Sequence, residues 1–154
     1  MKYWLFKSEP ETYGISHLEK DCITPWSGVR NYQARNFMRD DMSIGDKILF
    51  YHSNTKIPGI AGLAEVSKVA EPDLTQFDHE SEYYDEKATK AHPRWFCVEM
   101  AFLKKLKSFY SLEKIKKNSA LEEMRILQKG NRLSITPVSK DEYQIIVKAS
   151  GKGL

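Results

Sequence analysis

Cysteine is scarce in this sequence: Cys22 and Cys97 are the only two among 154 residues. They fit no metal-ligand spacing, and two cysteines in a domain this large do not make a disulfide scaffold. Cys97 falls inside an apolar run, where a buried free thiol is expected. Long hydrophobic runs are missing too. Residues 1–7 are apolar only briefly before Lys7 and Glu9, too short for a signal-peptide core, and no stretch nears membrane-spanning length. The expected address is cytoplasmic, or nuclear in a eukaryote, with no membrane partner. None of the glycines forms a phosphate-binding loop, and no repeat or low-complexity tract is present.

What is there suffices for a folded core. At 41% hydrophobic and 29% charged residues, the chain is too apolar for disorder and reads as one domain over residues 1–154. A net charge of +3 is modest for a non-specific DNA coat, but its distribution is uneven. Acids gather at Glu71, Asp73, Asp78, Glu80, Glu82, Asp85 and Glu86. Bases gather at Lys104, Lys105, Lys107, Lys114, Lys116 and Lys117, and at Arg30, Arg35 and Arg39. Two readings fit: a fold with one positive and one negative side, or a set of solvated faces.

Tyr3 to Lys7 reads as a strand apolar on both faces, hence central, ended by Pro10. Ser16 with Glu19, Ser119 with Glu122 and Ser139 with Glu142 are three capping boxes, each opening a helix. Asn31 caps a helix to about Arg39 with Ala34, Phe37 and Met38 inward. Strands are expected at Lys47–His52, at about Ile60–Val69 with a bulge or close approach at Gly62, at Arg94–Leu103 and at Leu133–Val138. Ser111 begins a short helix. The polar, acidic segment from Glu71 to Pro93 reads as a long ordered loop, of a kind that is often functional. The fold class is α+β: a curved, mostly antiparallel sheet or partly open barrel with helices around it.

Catalysis finds little support. The four histidines have no partner at metal or triad spacing, and His52 with Ser53 would point to opposite faces of a strand. No catalytic residue, metal or cofactor is assigned. Binding is better supported, because polar and aromatic groups crowd three segments where strands end: Lys7-Ser8-Glu9-Pro10, Trp26-Ser27-Gly28-Val29-Arg30-Asn31-Tyr32 and Tyr51-His52-Ser53-Asn54. Such a set can stack a planar heterocycle and read its edge, with Arg30 and Arg35 at a helix start suited to phosphate. Each residue taken singly has a plainer role: Trp26 as a core plug, Ser8 and Ser53 as strand-end partners, Glu9 in a surface ion pair. Their density favours a site.

At these residues the chain resembles the EVE domain family. The resemblance rests on Tyr3-Trp4-Leu5-Phe6-Lys7-Ser8-Glu9-Pro10, the run from Trp26 to Asn36, Gly45-Asp46-Lys47, Phe50 to Asn54, and Gly59-Ile60-Ala61-Gly62. It continues through Tyr84-Asp85, Pro93-Arg94-Trp95, Arg132-Leu133-Ser134 and Pro137-Val138. The resemblance implies a PUA-like fold, a twisted, mostly antiparallel β-barrel with flanking helices. It also implies recognition of a modified base, such as a modified cytosine flipped from DNA or a modified base in RNA. Trp26 and Val29 would then wall a base pocket, with Ser8, Glu9, Ser53 and Asn54 at the base edge. Lys7, Arg30, Asn31 and Arg35 would meet the backbone, with Tyr32, His52, Trp95 and Arg132 as further candidates. Two rival classes are an RNA-binding or nucleoside-processing enzyme of the PUA-like group, with Glu9 or His52 as acid or base, and a protein-interaction module using the acidic loop 71–86.

Overall fold

The computed structural model describes residues 1–151; the end of the expected domain, residues 152–154, lies outside the described residues. Strand β1 (Tyr3–Ser8) leads into helices α1 (Pro10–Tyr13) and α2 (Ile15–Asp21) and the short strand β2 (Ile23–Pro25). Helix α3 (Tyr32–Asn36) runs directly into a π-helical turn at Phe37–Asp41, before β3 (Lys47–His52) and β4 (Gly59–Pro72). A mostly irregular segment reaches β5 (Phe96–Ser111) and α4 (Leu112–Lys117). Two short 3-10 turns then lead to β6 (Ile135–Val138) and α5 (Lys140–Gly151).

The strands form one sheet in the order β2-β5-β4-β3-β1-β6. β1 runs parallel to β3, with Leu5 opposite Leu49, and every other pairing is antiparallel. A parallel pair needs a long crossover, and here residues 9–46, carrying α1 to α3, supply it. The expected barrel does not close. β2 and β6 remain the two edges, each is short, and each contains a proline (Pro25, Pro137) that has no N–H to extend a ladder.

Alternation along the inner strands divides the core by face. Trp4, Phe6, Ile48 and Phe50 point to one side, where Ile15, Leu18, Ala34 and Met38 from α2, α3 and the π turn cover them. Leu5, Leu49 and Tyr51 point to the other, under Ile115 of α4 and Ile146 of α5. A buried carboxylate pins the start of this arrangement. Asp46 accepts hydrogen bonds from Lys2 N–H, Ser43 N–H and the Trp4 indole, each at 3.1 Å, joining the first strand to the turn before β3.

Several local expectations hold and others do not. Asn31 caps α3, Ser111 caps α4, and Ser139 with Glu142 forms a reciprocal capping box. Ser16 is not a cap: Gly14 precedes α2, its N–H donating to His17 Nδ1 while the Ile15 N–H donates to His52 Nε2. Asn118, one residue before Ser119, takes the cap position there, and the expected helix splits into 3-10 turns at Ser119–Leu121 and Arg125–Leu127. Pro10 opens α1, where a missing N–H costs nothing. β5 continues past Leu103 to Ser111 because β4 is long enough to pair with it.

Gly62 sits at a register shift where β4 meets β5. A Cβ there would overlap the Ile15 side chain and lie 2.9 Å from the Lys104 carbonyl. Gly62→Ala therefore overpacks a site bounded by buried side chain and backbone. We expect a loss of roughly 1–3 kcal/mol in urea unfolding, partly recovered when Ile15 is also cut back to Val. An unchanged midpoint would show that α2 moves freely over the sheet.

Candidate nucleic-acid interface

Between β4 and β5 the backbone has few ladder partners, so side chains must satisfy its polar groups. Gln76, fully buried, does much of this. Its amide nitrogen donates to the Asp73 and Trp95 carbonyls at 2.8 Å, and its Oε1 accepts from the Arg94 and Trp95 N–H groups at 2.9 Å. Asp73, also buried, accepts from the Thr75 hydroxyl (2.6 Å) and N–H (2.9 Å), from the Gly28 N–H (2.8 Å) and from Arg30 Nη1 (3.1 Å). Burial opposes the Asp73 charge. The hydrogen bonds from Thr75, Gly28 and Arg30 outweigh it and hold the carboxyl below its ordinary 3.8.

Arg30 completes the link. Besides Asp73 it donates from Nη1 to the Val29 carbonyl, from Nη2 to Thr75 Oγ1, and from both Nε and Nη2 to the Tyr83 carbonyl (3.1 and 2.7 Å). A guanidinium has five N–H donors, and these bonds occupy them all. Its plane also faces the Trp95 ring at 5.1 Å and the Tyr83 ring at 5.5 Å. The acidic loop is thus clamped onto the segment Trp26–Asn31.

Between that segment and the ends of β1 and α1 lies a cleft of about 770 Å³. Trp26 and Tyr13 form its aromatic floor. Trp26 meets Phe6, Phe50 and Tyr13 edge-on, at centroid distances of 5.8, 5.7 and 6.0 Å. Tyr83 closes one side over Gly28, whose φ of +88° suits glycine and where a Cβ would sit 2.8 Å from the ring. Lys7, Ser8, Glu9, Thr12, Thr24, Glu82 and Ser134 supply polar groups to the walls. Burial lowers the Lys7 pKa from its ordinary value, and its ammonium has no ion pair or hydrogen bond among the described residues. Burial and the hydrogen bond to Asp21 push the Tyr13 phenol up to about 12, keeping it neutral.

The cleft gathers Lys7, Ser8, Glu9, Trp26, Val29, Arg30 and Asn31 from the sequence-based candidates. Their bonds differ. The Ser8 hydroxyl donates to the Tyr13 carbonyl at 2.5 Å, Asn31 Oδ1 caps α3, and Arg30 faces inward to its own chain. Ser53 and Asn54 stand behind the wall: the Ser53 N–H bonds the Ser8 carbonyl, and Asn54, at φ +51°, donates to Glu9 at 3.3 Å. Arg35, Tyr32 and Trp95 form a stack beside the cleft, with Arg35 4.7 Å from the Tyr32 ring and Tyr32 4.8 Å from Trp95. Arg132 is exposed and outside the lining. Tyr13, Tyr83, Thr12, Thr24 and Ser134 were not singled out from sequence. Tyr83 had one signal, its place in an acidic and aromatic loop; Ser134 is brought in only by the bond from Lys7 N–H to its carbonyl (2.8 Å).

The EVE domain profile matches residues 2–149. Human thymocyte nuclear protein 1 is 37% identical over 97% of this chain and 74% of its own length. The chain belongs to the EVE domain family. A hypothetical protein from Leishmania major superposes on this EVE domain with a TM-score of 0.92 at 47% identity, covering 97% of this chain and 94% of that one. Human THYN1 in complex with DNA containing 5-methylcytosine gives 0.91 at 37% identity, covering 99% of both chains. An ASCH protein from Zymomonas mobilis, 16% identical with a TM-score of 0.53 over 96% of this chain and 94% of its own, shares the fold alone. That likeness supports a PUA-like architecture built here as an open sheet.

His52 tests the enzyme reading of this EVE domain from within. Its Nε2 accepts the first N–H of α2, which requires the neutral ring. Burial, with Lys105 adding repulsion, lowers its pKa from 6.5. The unfolded chain therefore binds the proton more readily, so this contribution is complete above about pH 7 and is lost as pH falls through 6.5 toward the folded pKa. Thermal unfolding between pH 7.5 and 5 should show a falling midpoint that His52→Gln, which keeps an acceptor but cannot titrate, makes flatter. Identical profiles for the two proteins would remove His52 from the account.

Proposed function

We propose that this EVE domain binds DNA and holds one modified cytosine, such as 5-methylcytosine, in the cleft at Trp26. The observation that carries the reading is the cleft itself. It sets an aromatic floor under walls that carry both a free ammonium and a carboxylate, in a fold shared with human THYN1 bound to methylcytosine DNA. Its size falls in the roughly 300–1,000 Å³ range of sites that enclose small ligands. A flipped cytosine presents a donor at its amino group and acceptors along the same edge. Glu9 can accept from the amino group, while Lys7 and the wall hydroxyls donate to the acceptors. Stacking on Trp26 offsets part of the few kcal/mol needed to extrude a base.

The methyl group itself contributes little. Burying one carbon is worth about 0.8 kcal/mol, close to a fourfold preference. Strong selectivity would need a polar partner for the modification. The reading is binding and not turnover: the His52 ring nitrogen that faces α2 is already engaged in capping it.

The test is equilibrium binding to a short duplex carrying one central 5-methylcytosine and to its unmodified twin. Trp26→Ala should weaken the methylated duplex by roughly 5- to 150-fold, the equivalent of 1–3 kcal/mol of lost stacking, and should abolish the preference. Lys7→Gln, which leaves the aromatic packing untouched, should weaken binding with the protein still folded. Equal affinity for both duplexes in the wild type, unmoved by either change, would sink the proposal. A preference for the corresponding RNA would redirect it.

A further inference from the structure

Residues 104–117 hold six lysines and one glutamate, although the whole chain is only +3. The rest of the protein is therefore net negative. Residues 71–86, with seven carboxylates and no lysine or arginine, more than account for that excess. The acidic stretch supplies Glu82 and Tyr83 to the cleft wall, and residues 104–117 lie outside the cleft lining.

The lysines share one end of the sheet. Ile60 pairs with Tyr110 but Gly62 pairs with Lys105, so residues 106–109 bow out of the β4–β5 ladder. Lys107 on this arm and Lys104 and Lys105 at the paired positions leading into it are exposed. The turn after β3 is fastened to the start of α4 by the bond from Leu112 N–H to the Pro58 carbonyl (2.9 Å). A shallow hollow of about 340 Å³ there is lined by both Lys56 and Lys116. Among the described residues, only Lys117 of this group has a carboxylate partner, Glu113 at 3.0 Å. Unpaired lysines crowded together repel one another, and a polyanion relieves that cost.

This positive end adjoins the cleft by two routes. Lys105 Nζ reaches Ser16 Oγ on α2 at 2.8 Å, and the neighbouring His17 stacks on Tyr13 of the cleft floor at 5.5 Å. Lys56 follows closely on Asn54, which holds Glu9 of the cleft wall. The opposite wall carries Glu82 and Tyr83 of the acidic loop. Arg30, which sequence places among the phosphate contacts, has its donors occupied within the chain.

We infer that the lysines of the β5 arm, together with Lys56, grip the phosphate backbone of DNA whose base enters the cleft. The duplex then lies over α1 and α2 and away from the acidic loop. This rests on the proposed DNA-binding function for its ligand class, and it adds the surface and the direction of approach. Lysine suits this role, since a mobile point charge holds phosphates without reading sequence.

The test uses the same two duplexes with wild type, Trp26→Ala and the combined Lys104→Ala, Lys105→Ala, Lys107→Ala variant, at several salt concentrations. The lysine variant should bind both duplexes more weakly by the same factor, tenfold or more at low salt. The slope of log affinity against log salt should fall by up to about 0.9 for each phosphate no longer neutralised, with the methyl preference intact. Trp26→Ala should show the reverse pattern, a lost preference with an unchanged slope. Wild-type affinity and slope in the lysine variant would overturn the inference while leaving the base-reading proposal standing. A lysine variant that loses binding, beside a wild type with no methyl preference, would support the inference and overturn the base reading. A wild type that binds neither duplex overturns both.

Discussion

Asp73 holds together parts of the chain that sequence keeps far apart. One buried carboxylate receives the Gly28 N–H and the Arg30 guanidinium from one segment, and the Thr75 hydroxyl and N–H from another. Removing the Arg30 charge would leave the buried Asp73 carboxylate without its ionic partner. The cleft depends on this interaction twice. It sets the course of Trp26–Asn31 along one wall, and through Arg30 and the Tyr83 carbonyl it seats the acidic loop that forms another. Gln76 stiffens the same region from below by satisfying four backbone groups that no strand reaches.

Trp26 shows how core and site can share one residue. On its inner side it is an aromatic plug, edge-on to Phe6 and Phe50 from two neighbouring strands. Its remaining exposed surface forms part of the cleft floor. The two roles reinforce each other, because an indole held by three rings offers a stacking partner a platform already ordered. A platform ordered in advance loses little freedom on binding.

Electrostatics gives the molecule a direction. Positive charge is concentrated in β5 and α4 and negative charge in the loop between β4 and β5, so a modest net charge conceals a strongly polar body. The arginines do not follow that division. Arg30 and Arg35 lie against aromatic rings and carbonyls and serve the architecture of the cleft wall, with Arg30 wholly committed to it.

Sequence alone determined what is encoded over a few neighbouring residues. Short apolar runs bounded by turn residues marked β1 and β3, Asn31 and Ser139 with Glu142 were readable as caps, and Gly62 marked the close passage of another element. Where two local signals competed, the tertiary structure chose. Gly14 displaced Ser16 because a histidine from β3 arrives to receive the first N–H of α2, and Asn118 displaced Ser119 one residue upstream. The open sheet, the reach of β5 and the inward commitment of Arg30 were also settled only in three dimensions. Each depends on a partner lying tens of residues away, such as Asp73 for Gly28 or Ser134 for Lys7, and a hydrogen bond at that separation leaves no periodic trace in the chain that makes it.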